Sequence, residues 1–152
     1  MDNDGDEDIY VEMKGAYNGD AYQNSLYLNP GQNNNWVNIT LEGTRANRPA
    51  IGARIKVNFI ENGIRRSVFR MVSSGNSFGA NPLMQHIGIG QSVQVESIEI
   101  KWPGSNALQY FKNVQAGDNI KIREGDPSIK KVYLSRLNFA RPSLVSIGCA
   151  PY

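Results

Sequence analysis

In the run Arg54-Ile55-Lys56-Val57-Asn58-Phe59-Ile60-Glu61-Asn62-Gly63, three apolar residues, Ile55, Val57 and Phe59, alternate with Arg54, Lys56 and Asn58. A period of two puts apolar side chains on one face of an extended chain and polar ones on the other, which is the pattern of a half-buried strand. Asn62-Gly63 then supplies two residues that accept the left-handed backbone of a tight turn. The run from Ile64 to Val72 is therefore expected to fold back as the partner strand of a hairpin.

The same period extends in both directions. Val37, Ile39 and Leu41 alternate with Asn38, Thr40 and Glu42, and Ile98, Ile100 and Trp102 alternate with Ser97, Glu99 and Lys101. Leu108 to Phe111 and Ile120 with Ile122 add two short strands, and Lys131 to Phe139 suggests another. No segment sustains an i, i+3, i+4, i+7 stripe, so little helix is expected. Roughly 7–8 short strands separated by Gly, Pro and Asn turns point to a mostly antiparallel all-β sandwich or barrel.

The 152 residues suit one domain with an appended segment. A single cysteine, Cys149, excludes an internal disulfide. No apolar run approaches the roughly 20 residues of a membrane-spanning helix, and the charged start lacks the character of a signal peptide. The net charge of +2 hides an asymmetry: residues 1–35 carry seven acids and one lysine, −6, whereas residues 36–152 carry fifteen bases and seven acids, +8. The bases stand singly at outward strand positions, as with Arg54, Lys56, Lys101, Lys121 and Arg123. That spacing reads as a solvated face rather than a nucleic-acid interface.

The acidic start reads Asp2-Asn3-Asp4-Gly5-Asp6-Glu7-Asp8 and passes into Ile9-Tyr10-Val11. Short carboxylates at alternate positions around a glycine can converge their oxygens on one hard cation. With Gly5 at the turn of a D-x-D-x-D-G-x-x-D frame, Asp2, Asp4 and Asp8 are its third, fifth and ninth members, and Asp6 offers a carbonyl. The first aspartate of that frame falls just before Met1. Asp2, Asp4, Asp6 and Asp8 are therefore an incomplete calcium loop, expected to bind calcium weakly or not at all, and more tightly if an upstream aspartate were restored.

No catalytic set can be assembled. His86, the only histidine, has no nucleophile or acid nearby in sequence and reads as structural. Cys149 has no partner for zinc or redox chemistry. Gly43, Gly52, Gly75, Gly88 and Gly90 fit no phosphate-binding frame and read as bulges, bends and turns. Trp36 and Trp102 are expected in the core, while Tyr17, Tyr22 and Tyr27 belong to a polar-aromatic surface. Asn38-Ile39-Thr40 is formally a glycosylation sequon.

From Asn35-Trp36 to about Gly125, some three-fifths of the chain, the sequence resembles the ASPIC/UnbV domain. The landmarks are Leu41-Glu42-Gly43-Thr44, Asn47-Arg48, Ile51-Gly52-Ala53-Arg54-Ile55, Ser74-Gly75 with Ser77-Phe78, His86-Ile87-Gly88-Ile89-Gly90 and Ile98-Glu99-Ile100-Lys101-Trp102-Pro103. The family's domain follows FG-GAP/VCBS repeats of calcium-loop β-propellers, and residues 1–34 resemble the end of one. The resemblance implies a secreted or cell-envelope protein and supplies no catalytic residues. The expected division is therefore 1–34, the end of a repeat; 35–129, the ASPIC/UnbV-like domain; and 130–152, a C-terminal strand and tail. The expected function is a non-enzymatic binding module, its ligand left open between glycan and protein. The alternative is a cap that closes the preceding propeller repeats. A chain that starts at Asn35 is expected to be clearly less stable, or prone to aggregate through an uncovered face, at both low and high salt, and unchanged stability would favour a free-standing binding module.

Overall fold

Asn62 and Gly63 take positive φ values of 51° and 77°, and the hairpin they close is in full register, from Arg54 opposite Met71 to Glu61 opposite Ile64. It belongs to a computed structural model that describes residues 2–12, 23–75 and 79–137. Among these the strands are β1 (Ile9–Val11), β2 (Ser25–Tyr27), β3 (Asn35–Glu42), β4 (Arg54–Glu61), β5 (Ile64–Met71), β6 (Gln85–Gly90), β7 (Gln94–Lys101), β8 (Leu108–Gln115), β9 (Asn119–Arg123) and β10 (Ile129–Lys131). No helix occurs among the described residues.

The chain divides into two compact units: Met1–Pro30 with Ser135–Tyr152, and Gly31–Leu134. The larger unit is a sandwich rather than a closed barrel, with one sheet ordered β10-β9-β3-β6 and the other β5-β4-β7-β8. Its pairings are antiparallel except β3 with β9, a parallel neighbour that the chain reaches only after building all four strands of the second sheet. The inward residues of both sheets form one core, including Ile39, Ile55, Val57, Ile98, Ile100 and Ile122. In the smaller unit β1 pairs antiparallel with β2, Ile9 opposite Tyr27.

Trp102 is completely buried in this core, and its indole N–H is satisfied by the side-chain oxygen of Gln109. Trp36 differs from expectation. Val37, Ile39 and Leu41 take the inward positions of β3, so parity puts Trp36 on the opposite face, where it is only half-buried. Residues 85–90, expected to supply bends, form strand β6. The irregularity expected of these glycines falls within the strand, since Asn35 and Trp36 lie opposite Gly90 and Gly88 and leave Ile89 as the extra, bulged residue of β6. The last described strand is also displaced: β10 occupies 129–131, and residues 132–137 are irregular. The remainder of the expected 131–139 strand, with Cys149, Tyr17 and Tyr22, lies outside the described residues.

Candidate binding surface

The outward side chains of β5, β4, β7 and β8 form rows across the sheet, because residues opposite one another on neighbouring strands point the same way. One row reads Met71, Arg54, Lys101, Leu108, and the next Phe69, Lys56, Glu99, Tyr110. A third reads Ser67, Asn58, Ser97, Lys112. In this last row the Ser67 hydroxyl donates to Asn58 Oδ1 at 2.6 Å and Asn58 Nδ2 donates to Ser97 Oγ at 2.9 Å. The second row carries Phe69 and Tyr110 at 65% and 60% exposure. Lys56 Nζ stands 5.6 Å from the centre of the Phe69 ring.

Arg54, Lys56, Phe69, Met71, Glu99 and Lys101 border a shallow depression of about 530 Å³, with Arg70 at its rim. The bases that stand singly in the sequence are thus brought together by strand register. No described carboxylate forms an ion pair with Arg54, Lys56, Lys101 or Lys112. Elsewhere on the sheet the charges are matched, with Arg65 paired to Glu96 and Arg66 to Glu61 at 2.8 Å. The Arg65 guanidinium holds the Glu96 carboxyl below its ordinary range.

The outward face of the other sheet holds a smaller network. His86 Nδ1 lies 2.8 Å from Asn38 Oδ1, and Asn38 Nδ2 donates to Asn119 Oδ1 at 2.8 Å. An amide oxygen can only accept, so His86 carries its hydrogen on Nδ1. The Trp36 and His86 rings lie 5.5 Å apart, tilted by 36°. Asn38, the sequon residue, is buried within this network, so both it and His86 are tied into the sheet.

Glu124, which the sequence did not single out, organises the loop after β3. Its Oε2 accepts the backbone N–H groups of Thr44, Arg45 and Ala46 at 2.9, 2.8 and 2.8 Å, and Ser105 Oγ approaches its other oxygen at 3.4 Å. Burial raises the affinity of this carboxyl for a proton, but the N–H groups of Ala46, Thr44 and Arg45 outweigh that effect and hold its pKa low. Gly43 permits the loop to turn so closely: a Cβ there would lie 2.3 Å from the carbonyl oxygen of Asn47. The sole advance signal was an acidic residue beside the glycine of Arg123-Glu124-Gly125.

The aspartate-rich turn is internally bonded. Asp4 N–H donates to Asp2 Oδ1 and Asp6 N–H to Asp4 Oδ1, both at 3.0 Å, while Asp8 Oδ1 accepts from Asn29 N–H at 2.9 Å. The guanidinium of Arg136 stands 3.6 Å from Asp2 and 3.3 Å from Asp4. Among the described residues no group of three or more His, Cys, Asp or Glu is spaced to hold a metal ion.

These features define an all-β sandwich whose outward sheet faces carry its exposed chemistry. Residues 43–129 match the family described as ASPIC and UnbV. The chain belongs to that family. No curated protein matches it. Among solved structures it is similar to a "putative cell adhesion protein" from Bacteroides ovatus ATCC 8483, at 9% identity and a TM-score of 0.36, over 71% of this chain and 46% of that one. The chain thus spans less than half the length of that structure. At this TM-score the likeness carries no argument about fold or function.

Proposed function

We propose that this chain is a non-catalytic binding module of a secreted or cell-surface protein, and that it engages its ligand through the outward face of the β5-β4-β7-β8 sheet. The observation that carries this reading is the exposed row in which Phe69 and Tyr110 flank Lys56 and Glu99. Large aromatic side chains left in water beside polar hydrogen-bonding groups suit contact with a glycan or another protein. Family membership supports the extracellular setting by resemblance. Under the same reading, residues 1–34 are the end of an FG-GAP/VCBS-type repeat, and Asp2, Asp4, Asp6 and Asp8 are a reduced calcium loop.

The reading is tested by retention of the whole chain on panels of neutral glycans, acidic glycans and extracellular-matrix proteins, beside a Phe69→Ser, Tyr110→Ser double variant. At least one ligand class should hold the native chain and lose the variant. Equal behaviour of the two proteins throughout would remove this face from the function.

A further inference from the structure

The pairing of Arg54 with Lys101 is unfavourable as it stands. The two residues are directly opposite on neighbouring strands, a relation that puts their Cβ atoms about 4.5–5.5 Å apart and makes like charges repel. Neither has an ion-pair partner among the described residues, and Lys56 lies in the adjacent row. Such a group becomes favourable when an anion sits between its members. Glu99 stands among these cations, and as a carboxylate it accepts hydrogen bonds. Beside it run the hydroxyls and amide of Ser67, Asn58 and Ser97, and Phe69 offers an apolar face.

Building on the binding role proposed above, we infer that the ligand of this face is an anionic polysaccharide, whose sulfate or carboxylate group bridges Arg54 and Lys101 while a sugar hydroxyl donates to Glu99. Hydroxyl donors together with spaced negative charges are the chemistry this mixed surface matches. A sugar hydroxyl can donate to the Glu99 carboxylate, whereas a phosphodiester group has only acceptors to offer it. The Phe69 ring supplies a surface for the apolar side of a sugar ring.

The experiment measures binding of the whole chain at about 0.15 M salt, where exposed long-range attraction is largely screened. The probes are heparin as the sulfated polysaccharide, polygalacturonate as the carboxylated one, dextran as the neutral one, and a single-stranded oligonucleotide. One of the two anionic polysaccharides should bind, and comparison of the two identifies which anion is preferred. The Arg54→Gln, Lys101→Gln double variant should lose about tenfold in affinity, whereas Arg45→Gln, Lys130→Gln, with the same change in net charge, should lose less than about twofold. Glu99→Ala should weaken polysaccharide binding, although it makes the face more positive.

Because the first variant relieves a repulsion, its thermal midpoint should match or exceed that of the native chain, which separates lost binding from lost folding. Equal losses in the two double variants would reduce the effect to non-specific charge attraction and overturn the inference. Stronger binding by Glu99→Ala, preference for the oligonucleotide, or a neutral or protein ligand on the same face would overturn it too, while leaving the binding role intact. Absence of any ligand on this face would remove both.

Discussion

Glu124 has the most consequential single side chain outside the apolar core, because three backbone N–H groups have no other acceptor arranged for them in that loop. Replacing it by Gln keeps the size but loses the charge that makes these bonds strong, at a cost of about 1.5–3 kcal/mol at neutral pH by denaturant unfolding. The acid response follows from the depressed carboxyl. The stabilisation is fully present above the ordinary value of 4.5 and is lost as pH falls through the lower folded-state value. The native chain should therefore lose thermal stability below about pH 4.5 more steeply than Glu124→Gln, and parallel curves would show that the carboxylate carries no linkage. The aspartate turn yields a second expectation. With Arg136 facing Asp2 and Asp4, calorimetric titration should find calcium binding no tighter than about 10⁻⁴ M. A submicromolar site would overturn the assignment of the frame. His86 has no catalytic partner in the sequence and is bonded to Asn38, whereas Glu124 is not legible, because the N–H donors that it accepts from lie some eighty positions earlier, |i−j| = 80 for Thr44.

Among the elements, those specified by local chemistry were readable and those specified by distant pairing were not. The β4–β5 hairpin follows from alternation plus Asn62-Gly63, both contained within a few residues. Strand β6 is hard to read in the sequence because glycines, Gly88 and Gly90, alternate with its two completely buried isoleucines, Ile87 and Ile89, where a strand would ordinarily carry polar side chains. The face of Trp36 is ambiguous for a related reason: an aromatic beside an alternating run reads as part of the run, and a shift of one residue reverses the face. The cationic rows of the second sheet were invisible for a further reason. Arg54 and Lys101 become neighbours only through the β4–β7 register, which no local period encodes. Trp102 carries the energetic test at this scale. It fills the core at the end of β7 with no exposed surface, so Trp102→Ala should lower the unfolding free energy by roughly 3–5 kcal/mol. A loss below about 1 kcal/mol would place the indole outside the packed core.

At the scale of the whole molecule, residues 1–35 carry a charge of −6, and the sandwich is a compact unit of its own, Gly31–Leu134. Among the described residues the buried apolar cluster runs from Val37 to Ile122, within the sandwich. A capping role makes a different demand, since a cap is stabilised by what it covers. The expected outcome is that residues 31–134 alone unfold in one cooperative transition, with a midpoint in denaturant close to that of the full chain at both low and high salt. Comparison at two salt concentrations is necessary because attraction between oppositely charged units is screened above about 0.1 M, whereas apolar contacts are not. A difference confined to low salt would reflect charge alone. A large loss of stability, or aggregation, at both concentrations would restore the cap as the better account, because it would expose apolar contacts that the sandwich cannot do without.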